Sequence, residues 1–224
     1  MDAFLAKLRQ RLAELEQACS PTGFAVAFSG GVDSHVLLEG CHRLELALPL
    51  RALHVDHGMQ PQSPQWAEHC RSTAGALGVD FELVNVAVHA EAGQSVEAVA
   101  REARYAALGA LLRSGEMLLT AHHEDDQLET VFLRLMRGAG VRGLRGVLES
   151  GQLSAGYVGR PLLTFSKAEI VAAANHWELD WIEDPSNRDE RFDRNYLRAT
   201  VLPALRRRWP AVARTVTRAA RQMA

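Results

Sequence analysis

The stretch Ser29-Gly30-Gly31-Val32-Asp33-Ser34 follows a continuous apolar run, Phe24 to Phe28, and precedes a segment of helical periodicity. Two adjacent glycines let the backbone turn sharply and come close to an anion. Free N–H groups at the start of the helix, with the Ser29 and Ser34 hydroxyls, then face that anion as donors. This is equipment for holding a polyphosphate. It is not a Walker A loop, because no lysine follows and the spacing is too short. Asp33 inside such a cradle is unfavourable unless a cation bridges the two, which calls for Mg²⁺ on Asp33 or a cationic group of a substrate.

A second group of chemically useful residues lies about ninety positions further on. Asp126, Glu129 and Thr130 stand at i, i+3 and i+4, on one face of a helix. With Asp33 across a cleft they form an acidic pocket suited to an ammonium group. Arg101 and Arg104 are three apart on the preceding helix, and a guanidinium can grip a carboxylate in two places. For Arg101 a salt-bridged solvent face with Glu97 is the better account, and for Arg104 a ligand role is. His122-His123 followed by acids suggests zinc, but adjacent residues at a strand end point in opposite directions. The carboxylates at the start of the helix, Asp125 included, also suit its N-terminal dipole.

The elements that must position these residues alternate short β-type runs with longer helical ones, the pattern of a parallel sheet covered by helices. Strands are expected at Phe24–Phe28, Leu50–Val55, Phe81–Val88 and Glu116–Ala121, with a further one within Tyr157–Leu163. An amphipathic helix spans Met1–Gln17, and Val36, Leu37, Cys41 and Leu44 share the inner face of the next. Pro64 opens another helix at a favourable first-turn position. Ser95 caps a long helix with Val96, Val99, Ala100, Ala103 and Ala107 inside. The helix Glu124–Arg137 buries Leu128, Val131, Phe132 and Leu135. A helix follows over Ser166–His176, and two more from Asn195 are split at Trp209-Pro210. Trp177 and Trp181 read as core residues. Ligands in open α/β sheets sit at the carboxyl ends of strands, so Ser29, Asp56 and His122 come together.

Composition is that of an ordinary globular chain: 47% hydrophobic, 23% charged, net charge −2 over 224 residues. The charge is unevenly spread. Arg188–Ala224 carries ten arginines against three acids, while Met1–Asn187 carries 15 basic and 24 acidic residues. A basic tail on an acidic body suits a protein that holds an RNA at one end. Cys19, Cys41 and Cys70 are scattered and form no C-x-x-C pair, which argues for buried thiols in a reduced compartment. No apolar run is long enough for a membrane span and no signal-peptide core is present, so a cytoplasmic location is expected.

The loop at Ser29–Ser34 resembles the pyrophosphate loop of the N-type ATP pyrophosphatases, which cut ATP between its α and β phosphates and adenylate an oxygen. Other stretches narrow the resemblance. Val55-Asp56-His57-Gly58-Met59, Glu102-Ala103-Arg104-Tyr105, Thr120 to Thr130, Arg137-Gly138-Ala139-Gly140, Arg160-Pro161-Leu162-Leu163, Trp181 to Asn187 and Arg194-Asn195-Tyr196-Leu197-Arg198 all resemble the tRNA(Ile)-lysidine synthetase family, in order along nearly the whole chain. That family implies a Rossmann-like α/β fold of the adenine nucleotide alpha hydrolase type, with a helical C-terminal tail. It implies residues 1–187 as the catalytic domain and 188–224 as a basic tail leading to tRNA-binding domains.

The implied reaction is ATP-dependent ligation of L-lysine to the wobble cytidine of tRNA(Ile), through an adenylated cytidine, so that AUA is read in place of AUG. The resemblance implies ATP contacts at Ser29, Gly30, Gly31, Val32, Asp33, Ser34, Asp56 and His57. It places lysine at Asp33, Arg104, Asp126 and Glu129, with His122 beside them. Asp33, Asp126, Glu129 and Arg194 are the expected catalytic groups, with Mg²⁺ on Asp33. Arg137, Arg142, Arg145, Arg194 and Arg198 are expected on the tRNA, and a homodimer is compatible with the sequence. Cysteine-dependent tRNA thiolation fits less well without a C-x-x-C pair, ammonia-using synthetases share only the loop, and a non-catalytic nucleotide-binding module would not need the acids. Members of the family extend past this length, so a piece ending here is expected to bind ATP well and tRNA poorly. The Gly138–Gly146 loop is expected to be mobile without tRNA.

Overall fold

The computed structural model describes residues 1–58, 60–87 and 96–223; for Val96, Glu97 and Arg188 only the backbone is described. The expected cap at Ser95, the inward Val96 and the Glu97 partner of Arg101 lie outside the described residues, as do Val88 and Met59.

Six strands form one sheet: β1 Phe24–Ala27, β2 Leu50–Asp56, β3 Asp80–Asn85, β4 Met117–Leu119, β5 Ser150–Leu153 and β6 Gly156–Gly159, in the order β3-β2-β1-β4-β6-β5. All neighbours are parallel except β5 and β6. The chain moves from β1 outward to β3 and then returns to place β4 on the other side of β1. This reversal opens a crevice at the carboxyl ends of β1 and β4, where a parallel sheet takes its ligands.

Helices cover both faces. On one side lie α1 (Asp2–Cys19), α2 (Val32–Arg43), α3 (Ser63–Ala76) and α7 (Lys167–His176). Phe4, Leu8, Leu12 and Leu15 of α1, with Leu37 and Cys41 of α2, pack there against Phe24, Val26 and Met117. Leu44 and Trp177 belong to this core and Trp181 packs on its edge, as their sequence positions suggest. On the other side, α4 (Val96–Leu111) covers Ala25, Leu53, Leu118 and Val158. A third cluster joins Leu128 of α5 (Glu124–Met136) to Leu197, Leu202 and Ala213 of the tail.

The tail consists of α8 (Asp193–Tyr196), a π-helical turn Leu197–Val201, α9 (Leu202–Arg208) and α10 (Val212–Gln222). The helical run starts two residues before Asn195 and breaks at Trp209. Among the described residues no helix is long and apolar enough to cross a membrane.

Several expectations need correction. The fifth expected strand is only Gly156–Gly159, because Pro161 cannot donate to a ladder and the chain turns at Arg160–Leu163. Its antiparallel partner β5 is not among the expected strands, because the run Ser150-Gly151-Gln152-Leu153 carries no β signature. Leu135, in the last turn of α5, is 48% exposed. On α4, Ala100, Leu108 and Leu112 just beyond it are buried, whereas Val99, Ala103 and Ala107 are only partly so. The long side chains on that stripe, not the alanines, fill the space over the sheet.

Candidate functional site

The phosphate loop braces itself. The Ser29 N–H donates to Ser34 Oγ (3.2 Å), and the Ser34 hydroxyl donates to the Gly31 carbonyl (3.0 Å). No side chain caps the N-terminus of α2, whose N-cap is Gly31, so its first N–H groups remain for a ligand. Gly30 has φ +81°, and a Cβ there would lie 2.6 Å from Ile182 Cδ1. The Ile182 N–H donates to the Gly30 carbonyl at 2.9 Å, so the segment after α7 backs the loop. Val32 packs on the main core, while a Cβ at Gly31 would make only ordinary contacts, with Ser29 Oγ at 3.6 Å and the Ile182 carbonyl at 3.9 Å.

Asp33 stands in the first turn of α2 with a partner that the sequence did not reveal. Lys167 Nζ lies 2.5 Å from Asp33 Oδ1, and His123 Nε2 lies 3.7 Å from the same oxygen. Lys167 is the first residue of α7, fixed there by a capping box in which Ser166 and Glu169 exchange hydrogen bonds. The two residues are 134 positions apart, and no local pattern links them.

The start of α5 gathers the other acids. His123 is its N-cap: its Nδ1 accepts from the Asp125 N–H (3.2 Å), and its own N–H donates to Asp126 Oδ2 (3.0 Å). Asp126 thus caps α5 in return. Burial would raise its pKa, but His123, His122 and Arg194 outweigh that and hold it below the ordinary aspartate value. Glu129 is 1% exposed and bound in two places by Arg198, Nε to Oε1 at 2.8 Å and Nη2 to Oε2 at 2.9 Å. Burial lifts its pKa above the usual glutamate range, with Arg198 offsetting only part. Arg194 sits close by, its Nη2 3.3 Å from Thr130 Oγ1 and its Nε 3.7 Å from Glu129.

At the end of β2, the Asp56 carboxylate accepts from the Gly58 N–H (2.8 Å), and His57 Nε2 accepts from Arg104 Nε (3.1 Å). Burial and the Arg104 charge keep the His57 imidazole neutral. Arg101 lies exposed over the Tyr105 ring, 5.1 Å from its centroid. At the end of β4, His122 Nδ1 shares a hydrogen bond with the Thr120 hydroxyl (2.8 Å), and burial pushes its pKa down to about 3. The two histidines therefore diverge, His122 toward Thr120 and His123 toward the helix cap. Among the described residues no group of three metal-ligating side chains occurs.

Tail arginines meet acids of the body: Arg198 with Glu129, Arg206 with Asp125, and Arg221 with Glu149. Part of the tail's positive charge is thereby spent within the molecule. In the glycine-rich segment, Val141–Leu144 forms a short helix α6. Arg134 donates to the Gly143 and Gly146 carbonyls, and the Gln127 amide bridges to Arg145 and Val147. Arg137 and Arg142 are exposed at its edge, Arg137 lying 3.5 Å from Asp193.

Curated proteins named tRNA(Ile)-lysidine synthase are similar over most of the chain. The protein from Alkalilimnicola ehrlichii is 50% identical over 219 residues, 97% of this chain and 48% of its own length. That from Methylococcus capsulatus is 48% identical, over 88% of this chain and 45% of its own. The chain thus spans about half the length of the curated relatives it matches. Among solved structures, the U34-tRNA thiolase of Methanococcus maripaludis superposes with a TM-score of 0.76 at 14% identity, over 97% of this chain and 78% of its own. The NH3-dependent NAD synthetase of Campylobacter jejuni reaches 0.53 at 14%, over 99% and 93%. At such identities these two speak for the fold alone. The PP-loop domain matches residues 4–205, from the first helix into the tail, and the chain belongs to that family.

Proposed function

We propose that the chain is the catalytic part of a tRNA(Ile)-lysidine synthetase, which ligates L-lysine to the wobble cytidine of tRNA(Ile) at the expense of ATP. The observation that carries this reading is the charge pattern of one crevice. A self-braced loop carries Asp33, which shares His123 with Asp126, and Asp126 in turn shares Arg198 with Glu129, at the reversal point of the sheet. The relatives named for this activity, matched along nearly all of this chain, support it.

In the first step the cytidine carbonyl oxygen attacks the α-phosphate and pyrophosphate leaves. Ser29, Gly30, Gly31, Val32 and Ser34 present donors to the phosphates, and Lys167 adds a positive charge at the loop. Asp56 and His57, at the end of the neighbouring strand, hold the nucleoside end of ATP. The Asp33 carboxylate at this loop suits Mg²⁺ and would hold it. Bound there, it would neutralise charge on the leaving pyrophosphate.

In the second step the lysine amine attacks the activated ring carbon and AMP departs. Asp33, Asp126 and Glu129 attract the ammonium and one of them takes its proton. Arg104 receives the lysine carboxylate, and His122, neutral at physiological pH, lines the pocket. Arg194 stabilises charge as adenylation proceeds. Arg137, Arg142, Arg145 and Arg198 face the tRNA, with Arg198 leaving Glu129 to do so. Residues 1–187 form the catalytic body, and the tail from Arg188 leads toward the tRNA-binding part, in the cytoplasm.

Thiolation is disfavoured by the cysteines. Cys41 and Cys70 are buried, with thiols pushed up to about 12. The test is release of pyrophosphate and AMP from ATP with tRNA(Ile) transcript and each amino acid in turn. Release that requires both tRNA and lysine, and vanishes in Asp33→Ala, is expected. Release with ammonia in place of lysine, or without tRNA, would assign the site to a small-molecule synthetase.

A further inference from the structure

Beside His122 lies a cation that the reaction as described leaves unused. Arg160 immediately follows β6 and is only 9% exposed. Val158, two residues earlier, packs against Leu108 on the α4 side of the sheet, and alternation along the strand gives Arg160 the same side. The Gly159 carbonyl accepts from the Thr120 N–H at 3.0 Å, and the Thr120 hydroxyl is bonded to His122. Arg160 therefore stands one residue beyond a bridge that leads directly to the pocket.

The guanidinium is poorly satisfied. Its Nη1 donates to the Leu148 carbonyl at 2.7 Å, but its Nε is buried without a partner, and among the described residues no carboxylate pairs with it. The Tyr105 hydroxyl, from α4 on the same side of the sheet, is likewise buried and unpartnered. A buried positive charge is costly unless an anion arrives to meet it. Of the cations that help keep His122 neutral, Arg160 acts more strongly than Arg101 or Arg194.

Strand order bears on which anion that is: β6 lies two strands from β1, about 10 Å at the ~4.8 Å spacing of a sheet, so Arg160 stands apart from the loop at Ser29–Ser34. His122 feels Asp126 as well as Arg160, and Asp126 shares His123 with Asp33 and Arg198 with Glu129, the acids of the proposed ammonium side. A molecule with a carboxylate at one end and an amine on a long arm carries the charge that each of these two groups would meet.

We propose that Arg160 holds the α-carboxylate of the amino-acid substrate once it is inside, after Arg104, bonded to His57 at the end of β2, has met it on entry. Held so, an amino acid can bring only its side-chain amine, not its α-amine, to the phosphate loop. The assignment rests on the lysine reading above.

The test is calorimetric binding of L-lysine, lysinamide, cadaverine and ATP to the whole chain, wild type, Arg160→Gln and Arg160→Lys. Wild type is expected to prefer lysine to the two analogues without a carboxylate by about tenfold or more, the weight of a charge-assisted hydrogen bond. In Arg160→Gln the three should converge, with ATP affinity unchanged within about twofold, and Arg160→Lys should recover part of the preference. An undiminished preference in Arg160→Gln would overturn the proposal alone, as would lost ATP affinity with the preference kept, which assigns Arg160 to phosphate. If wild type binds ATP but none of the three amines, the lysine reading falls and this proposal with it. Should Arg160→Gln lack the wild-type circular dichroism, Arg160→Lys decides, and an unchanged preference there overturns the assignment.

Discussion

The ammonium of Lys167 rests 2.5 Å from Oδ1 of Asp33, joining the first turn of α7 to the first turn of α2. Asp33 is the one acid inside the phosphate loop, and this contact offsets its repulsion of a polyphosphate. Lys167→Met should therefore raise the KM for ATP by about tenfold, near the value of one charge-assisted hydrogen bond. Lys167→Arg should recover part of it. Steady-state pyrophosphate release against ATP concentration measures this, and equal KM values for wild type and Lys167→Met would rule it out.

Gly30→Ala should damage the same loop by a different route. At φ +81° an alanine is strained, and its Cβ meets Ile182 Cδ1 at 2.6 Å. A loss of about 1–3 kcal/mol in stability is expected, together with weaker ATP binding. Urea unfolding and ATP titration check the two halves separately. Shortening the obstacle, as in Ile182→Ala, should relieve the clash but not the strain.

Removing Arg198 leaves the buried Glu129 with Arg194 alone, at 3.7 Å. Breaking a fully buried pair costs roughly 3–5 kcal/mol, but Arg198 is 42% exposed, so Arg198→Ala should cost about 2 kcal/mol. Glu129→Gln removes the carboxylate as well as its partner's charge match. The double variant Glu129→Gln, Arg198→Ala should be less destabilised than the sum of the two singles. Additive effects in chemical denaturation would contradict the pairing.

His122 makes the fold sensitive to mild acid. Its folded pKa of about 3 lies below the ordinary value of 6.5, so below pH 6.5 the unfolded chain takes a proton that the pocket refuses. Its contribution is fully present above that pH and is lost as pH falls toward 3. His35, His54 and His57, also held below the ordinary value by burial, act in the same sense. Between pH 7 and 5, His122→Gln should lose less stability than wild type. Parallel stability curves for the two would refute this.

The parts of the molecule with local periodicity were legible in the sequence. The strand–glycine–helix unit at Phe24–Arg43 and the amphipathic helix α1 follow from spacing alone. So does the acidic face of α5, because i, i+3, i+4 neighbours share a side whatever surrounds them. What stayed hidden depends on pairs distant in the chain. Lys167 gains its meaning only where α7 meets α2, and Arg160 only where β6 lies beside β4. The basic tail was visible as charge, yet its contacts with Asp125, Glu129 and Glu149 were not, since composition does not say which acids a helix will face. β5 escaped because an edge strand paired on one side needs little apolar alternation.

Helix α5 has one end in the pocket and one flank under the tail, and Glu129 belongs to both. A cation that takes the Glu129 carboxylate must displace the two hydrogen bonds of Arg198. Occupancy of the pocket and attachment of the tail are therefore competitors for one charge. By thermodynamic reciprocity, whatever draws the tail away tightens the hold on a cationic guest by the same factor that the guest loosens the tail.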